Sequence, residues 1–136
     1  MEPKAIYNLF KFIEDKKPQY KTPFAAKLIY APETLTKKEL NIEGVLDLSI
    51  TPIQSLPDGL KVEGSLYAVG CENLKSLPNG LKVRGNLNLR NTPIQSLPNG
   101  LEVEGNLWLK NTPLSKKYTK EEIEAMVPGV KGDIYL

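Results

Sequence analysis

The sequence contains no histidine and only one cysteine, Cys71. Without histidine there can be no Ser-His-acid triad, and a zinc site or an activated thiol is difficult to build. A single cysteine cannot form an internal disulfide, which is typical of proteins in a reducing compartment. We therefore expect Cys71 to be a small buried thiol, and the sequence favours a protein that is not an enzyme.

Net charge and long apolar runs are also scarce. The 18 basic and 16 acidic residues leave a net charge of +2, so general attraction to nucleic acid or to an anionic membrane is not expected. No stretch approaches the roughly 20 apolar residues that span a bilayer, and the N-terminus lacks a signal-peptide pattern. Glycine-rich phosphate-binding motifs are missing as well. The sequence therefore predicts a soluble, cytoplasmic protein with no cofactor and no membrane contact.

What the sequence does contain is an internal repeat of 20 to 21 residues. The segment SLPNGLKVRGNLNLRNTPIQ at 76–95 is nearly repeated as SLPNGLEVEGNLWLKNTPLS at 96–115. Steps of 20, 21, 20 and 27 residues separate the starts of a shared pattern, (Val/Ile)-x-Gly-x-(Leu/Ile)-x-(Leu/Ala), at Ile42, Val62, Val83, Val103 and Val130. This period predicts a solenoid in which each copy covers the apolar face of its neighbour.

Within each copy, apolar residues alternate with other residues. Period-2 alternation over seven residues predicts a short strand with one buried face. The glycine at the second inward position indicates that backbone or a bulky neighbour packs close to it. Turn sequences such as Asn-Thr-Pro and Pro-Asn-Gly predict corners joined by a short return segment. One extra residue around Cys71 predicts a bulged corner in the second copy.

The two ends depart from the repeat. Apolar residues spaced at i, i+3, i+4 and i+7 predict an amphipathic helix over 3–16. Thr119 and Glu122 form a capping-box pattern for a second helix through about Met126, which accounts for the 27-residue step. We therefore predict one compact domain with three parts: an N-terminal helical cap at 1–40, a repeat solenoid at 41–114, and a capping helix with the last strand at 115–136.

The repeat resembles the leucine-rich repeats, especially the short type marked by Leu-Pro in bacterial effectors and phages. The segment Leu87-Asn-Leu-Arg-Asn-Thr-Pro-Ile94 is similar to that family's L-x-L-x-x-N-x-L core, with Thr92 in place of the asparagine that usually forms a ladder. The resemblance extends over 42–114 and part of 130–136. With the predicted helices it implies an α/β solenoid of about five short parallel strands, with helical caps at the N-terminal end and near the C-terminus. The family's parallel sheet typically binds other macromolecules, usually proteins.

The outward positions of successive strands should form columns, with neighbours about 4.8 Å apart. One column contains the only tryptophan of the chain, and basic residues follow in the columns beside it. Because Trp, Tyr and Arg often dominate binding energy at interfaces, we predict a protein-binding site. Its residues are Asp47, Tyr67, Arg84, Asn88, Arg90, Trp108, Lys110 and Tyr135. The alternative is that Trp108 and Tyr135 pack under the C-terminal helix or against each other, and that the charges only solvate the face.

Three functions remain open at this point. The sequence favours a non-enzymatic protein-binding module, an inhibitor or adaptor that is a monomer or a weak homodimer. The resemblance extends this to a phage-encoded modulator that acts on host machinery in the host cytoplasm. One alternative is a homo-oligomerising structural protein that pairs through the open edge of its last strand. The other is a nucleic-acid-binding module using Arg84, Arg90 and Lys110, against which Glu63 and Glu104 argue.

Overall fold

The computed structural model describes residues 24–136 together with residues 8, 9, 11, 12 and 16. The chain divides into two compact units, Met1–Thr36 and Lys37–Leu136. In the first unit, helix α1 spans Phe24–Tyr30 and a 3₁₀ helix spans Pro32–Thr34. The helix expected over 3–16 lies largely outside the described residues.

The second unit is a β-solenoid of parallel strands. Its nine described strands are two residues long each: β1 Asn41–Ile42, β2 Leu46–Asp47, β3 Lys61–Val62, β4 Leu66–Tyr67, β5 Lys82–Val83, β6 Leu87–Asn88, β7 Glu102–Val103, β8 Leu107–Trp108 and β9 Ile134–Tyr135. The first sheet has the order β1-β3-β5-β7 and the second has the order β2-β4-β6-β8-β9. We call each of the pairs β1–β2, β3–β4, β5–β6 and β7–β8 a rung. The parallel stacking of rungs predicted from the period is confirmed.

Register between rungs follows the repeat residue by residue. Leu66 of β4 pairs with Leu87 of β6, and Leu87 pairs with Leu107 of β8. All three side chains are fully buried, so equivalent leucines form continuous stacks through the interior. Each stack removes apolar area from water at every rung, which stabilises the fold by about 25 cal/mol per Å². The predicted inward positions of Leu87 and Leu107 are confirmed.

Each predicted seven-residue strand is, however, broken into two strands by a bend at its glycine. The backbones of these glycines stack directly, and the N–H of Gly85 donates to the carbonyl of Gly64 at 2.9 Å. A Cβ on Gly85 would lie 2.8 Å from the carbonyl carbon of Gly64, which is closer than real Cβ atoms come. The close packing predicted at this glycine is confirmed. The prediction of one continuous strand is wrong, because the bend places the two halves in different sheets.

The corners after β2, β6 and β8 are each closed by a threonine side chain of the same rung. The hydroxyl of Thr92 donates to the carbonyl of Leu89 at 2.7 Å, and Thr51 and Thr112 make equivalent bonds. These hydroxyls therefore close turns within their own rungs, and the Thr51 hydroxyl also lies 3.8 Å from the Cys71 sulfur of the next rung. Cys71 takes the same place in the second rung, where it is fully buried and its thiol donates to the Leu48 carbonyl at 2.9 Å.

Two short helices interrupt the repeat near the C-terminal end. Helix α2 spans Pro113–Lys117 and helix α3 spans Lys120–Met126. The side chain of Thr119 caps α3 by accepting from the N–H of Glu122, so the predicted capping box is confirmed. Helix α2 was not predicted, although Thr112 before Pro113 is a typical helix-start pattern. After α3 the chain returns to the stack, where β9 pairs with β8.

Candidate binding surface

The outer face of the second sheet displays one side chain from each successive strand. The strands pair so that Asp47 lies opposite Tyr67, Tyr67 opposite Asn88, and so on to Tyr135. The residues between them, such as Leu46 and Leu48, are buried. We call this row the outer column; its members are Asp47, Tyr67, Asn88, Trp108 and Tyr135.

Two aromatic rings of the outer column stack on each other. The ring centroids of Trp108 and Tyr135 are 4.0 Å apart, and their planes are inclined by 20°. Trp108 is half-buried, and Tyr135 keeps 38% of its surface exposed. Mutual packing, one of the two alternatives considered for this pair, is therefore present, but it does not remove the rings from the surface. Stacking of this kind contributes about 0.5–1.5 kcal/mol to stability beyond the burial of surface area. The two rings therefore form an apolar platform that is already ordered before any partner binds.

The polar members of the outer column are tied to their own strands. Asp47 accepts a hydrogen bond from the backbone N–H of Ser49 at 3.0 Å, and Asn88 accepts one from the N–H of Arg90 at 3.2 Å. Bonds from the backbone and then the side chain of Ser49 hold the pKa of Asp47 below its ordinary value. Asp47 is therefore a fixed negative charge at neutral pH, at the opposite end of the column from Trp108.

A cleft of about 630 Å³ lies beside the aromatic pair. Six of its seven lining residues are polar or basic, namely Arg90, Asn91, Lys110, Asn111, Ser115 and Lys116, and the seventh is Leu136. We call it the basic cleft. The amide of Asn111 donates to the Asn91 side-chain oxygen at 2.8 Å, which joins the corners of neighbouring rungs. In the part of the chain that the structure describes, Arg90, Lys110 and Lys116 form no ion pair.

The structure brings together seven of the eight residues predicted for the site. Arg90 and Lys110 follow β6 and β8, at the same end of the sheet as the basic cleft. Arg84 instead follows β5 of the first sheet, where its Nε lies 3.0 Å from a carboxylate oxygen of Glu63. Lys116 was missed in the sequence because only helix α2 brings it to the cleft.

A ladder of polar side chains runs along the start of the second sheet, at positions next to its buried residues. The side-chain oxygen of Asn86 accepts from the backbone N–H of Asn106 at 2.8 Å, and Asn106 accepts from Asp133 at 2.9 Å. Ser65 makes the corresponding bond to Asn86 at 3.0 Å. The recurrence of Asn86 and Asn106 one period apart was the available sequence signal. This ladder links neighbouring rungs through side-chain oxygens that accept from backbone N–H groups.

Within the described residues, no three His, Cys, Asp or Glu side chains are grouped so that they could hold a metal ion. In the same part of the chain, no helix has the length and apolar character needed to cross a membrane. Comparisons with protein-family models, with curated protein sequences and with solved structures found no match. The function of this surface must therefore be inferred from its own geometry and chemistry.

Proposed function

We propose that this protein is a non-enzymatic protein-binding module that engages its partner through the outer face of the second sheet. The main support is the stacked pair of Trp108 and Tyr135, which stays partly exposed beside Arg90 and Lys110. Trp, Tyr and Arg are the residue types most enriched among interface hot spots. Because the two rings already hold each other in place, a partner that packs on them would lose little further conformational entropy.

The surroundings of the pair also suit a protein partner. The outer column combines aromatic side chains with short polar ones, as binding surfaces that pair apolar anchors with hydrogen bonding do. Asn88 uses its oxygen within its own strand, and no described residue occupies its amide nitrogen. A backbone carbonyl of a partner could accept from that amide between the rings of Tyr67 and Trp108.

The similarity of the repeat to short leucine-rich repeats supports protein as the partner class. Its likeness to phage repeats extends the proposal to a phage-encoded inhibitor or adaptor that acts on host machinery. A solenoid with only a few rungs offers a small face, so we propose a single partner site of standard size, about 800 Å² on each side.

Nucleic-acid binding is the second candidate, and one observation favours it. Glu63 and Glu104, the acids expected to oppose it, lie with the first sheet and line a different cavity from Arg90 and Lys110. Glu63 is also paired with Arg84. We rank it second because Asp47 places a negative charge on the outer column and the cations occupy one end only.

Affinity capture from a lysate of the source cells tests the first proposal. The baits are the wild type, a variant with Tyr67→Ala and Trp108→Ala, and a control with Tyr118→Ala. Tyr118 is also partly exposed but follows helix α2, outside the outer column. We expect the wild type and the control to retain the same protein and the double variant to lose it. Equal retention by all three baits, or loss of every captured protein after nuclease treatment, would refute the proposal.

A further inference from the structure

The side chains that line the basic cleft carry charge of one sign only. Three cationic side chains line it, those of Arg90, Lys110 and Lys116, and no acidic residue is among its lining residues. All three residues are exposed. Its volume of about 630 Å³ is within the range of protein ligand sites, about 300–1,000 Å³.

Two of these cations lie in equivalent positions on neighbouring rungs. The N–H of Asn91, next to Arg90, donates to the carbonyl of Lys110 at 3.1 Å, so Arg90 and Lys110 occupy equivalent positions on neighbouring rungs. Like charges at directly opposed positions of neighbouring strands are destabilising. Helix α2 adds Lys116 to the same cleft.

The first sheet of the same solenoid also places two cations opposite each other, Lys61 and Lys82, but acids accompany them. Lys82 lies opposite Glu102 in turn, with their charged atoms 3.7 Å apart, and Arg84 lies 3.0 Å from Glu63. The cavity on the first sheet is thus lined by both cations and acids, whereas no acidic side chain lines the basic cleft. The imbalance lies next to the aromatic pair, where a binding partner could supply the missing negative charges.

We propose that the basic cleft receives an acidic segment of the partner protein. Two or more Asp or Glu carboxylates would pair with Arg90, Lys110 and Lys116, and a neighbouring apolar side chain of the segment would pack on Trp108 and Tyr135. Arginine holds carboxylates through paired hydrogen bonds, and lysine adds a point charge. This inference rests on the proposed protein-binding function and adds the chemistry of the partner.

The distribution of charge favours a short acidic segment over a nucleic acid. A single strand presents a phosphate at every nucleotide, and its binding sites track the backbone with a continuous positive groove. Along the outer column the cations stop at Arg90, and Asp47 lies at the far end with its pKa lowered by Ser49. A strand running along the column would therefore meet a negative charge.

The fluorescence of Trp108, the only tryptophan, reports on the site directly. The full chain is titrated with the blocked peptide Glu-Glu-Phe-Glu-Glu, with its uncharged counterpart Gln-Gln-Phe-Gln-Gln, and with pentathymidylate, which matches the four negative charges of the acidic peptide. We expect a saturable change with the acidic peptide that weakens as salt is added, and binding of the Gln peptide about tenfold weaker.

Two triple variants distinguish the effect of the cleft residues from the effect of the protein's net charge. The first combines Arg90→Gln, Lys110→Gln and Lys116→Gln. The control combines Lys61→Gln, Lys75→Gln and Lys120→Gln, which are exposed positions outside the cleft. Both remove three positive charges and take the net charge from +2 to −1. We expect the first variant to bind the acidic peptide about tenfold more weakly and the control to change by less than about twofold.

Three results of the titrations would overturn the inference: no saturable response to the acidic peptide, equal weakening by both triple variants, or tighter binding of pentathymidylate than of the acidic peptide. The last would also count against the proposed function. The capture experiment separates the inference from the proposed function. If Trp108→Ala loses the captured partner but the triple variant of the cleft retains it, only the inference is overturned and the proposed function stands. Near-ultraviolet circular dichroism of each variant checks that it is folded.

Discussion

The indole ring of Trp108 stacks on the phenol ring of Tyr135, although the two residues lie in strands separated by two helices. Helices α2 and α3 occupy the chain between β8 and β9, and β9 then pairs with β8 in the same parallel register as the earlier strands. The aromatic platform therefore exists only because the chain returns to the stack after this insertion. Its integrity links the C-terminal end of the solenoid to the proposed function.

Removing the ring of Tyr135 should therefore change the fluorescence of Trp108. We expect Tyr135→Ala to shift the emission of Trp108 and to lower the free energy of unfolding by about 1 kcal/mol, because the stacking contact is lost. Urea unfolding followed by tryptophan fluorescence measures both effects. The control Tyr67→Ala, two rungs away from Trp108, should leave the emission spectrum close to that of the wild type. Equal spectral shifts in the two variants would contradict the stacking.

The stacked glycines should tolerate no methyl group where two rungs meet. We expect Gly85→Ala to destabilise the fold by about 2 kcal/mol, because its Cβ would lie 2.8 Å from the Gly64 carbonyl carbon. Gly44 is the matched control from the first rung, since a Cβ there meets no atom within 4 Å. Gly44→Ala should change stability by less than about 0.5 kcal/mol. Similar urea midpoints for the two variants would show that the rungs do not approach so closely.

The polar ladder should depend on a side-chain acceptor. We expect Asn86→Ala to cost about 1 kcal/mol, because the backbone N–H of Asn106 loses the oxygen that lies 2.8 Å away. Asn86→Asp keeps an acceptor oxygen at the same position and should recover most of the loss. Thermal melting of the two variants checks this difference. If Asp were as damaging as Ala, the ladder bond would not explain the role of Asn86.

Ile50 occupies a corner where the backbone has a positive φ, a conformation that glycine and asparagine adopt more easily than isoleucine. Its φ is +57°, and its side chain is 85% exposed, so it is strained without gaining burial. The equivalent corners of later rungs hold Gly70, Asn91 and Asn111, also with positive φ. We expect Ile50→Asn to raise the free energy of unfolding by about 1 kcal/mol.

Ile53→Asn is the matched control for Ile50→Asn, because Ile53 is only 1% exposed. It should destabilise the fold by about 3 kcal/mol, since it places an amide in the apolar interior. Urea midpoints should therefore move in opposite directions for the same chemical change. A loss of stability with Ile50→Asn would contradict the strain inferred at that corner.

The hydrogen bonds to Asp47 should make a small contribution to stability that disappears in acid. Because Ser49 lowers the pKa of Asp47 in the folded state, the carboxylate contributes stability above its unfolded-state pKa of about 3.9 and loses it as pH falls through the lower folded-state value. The contribution is small because Asp47 is exposed. We expect Asp47→Asn to be slightly less stable than the wild type near pH 7 and indistinguishable near pH 2. If the urea midpoints of Asp47→Asn and the wild type differed more near pH 2 than near pH 7, this prediction would be contradicted.

Much of the fold could be predicted from local pattern. The 20-residue period, the burial of Leu87 and Leu107 and the capped helix beginning after Thr119 all follow from residue spacing along the chain. The glycine bend could not be predicted in the same way. Val62 and Leu66 lie on one alternating run, and that alternation does not show that the chain bends at Gly64, where its N–H donates to the Gly44 carbonyl one rung earlier.

The candidate site shows the same division. The order of Tyr67, Asn88 and Trp108 in one column follows from equal spacing, because parallel strands with the same repeat length bring equivalent residues side by side. The pairing of Arg84 with Glu63 and the arrival of Lys116 at Arg90 and Lys110 required the structure. They depend on which way a corner or a short helix directs the chain, and residue spacing does not specify that direction.

The sequence by itself determined that this protein stacks its repeats in parallel and which side chains face the interior, because a repeated apolar pattern can be buried at every copy in only one register. The tertiary structure alone decided that each strand splits between two sheets, that Trp108 meets Tyr135 across a 27-residue interval, and that three cations share one cleft. Those features arise from contacts between segments far apart in the chain, where backbone packing at corners sets the geometry.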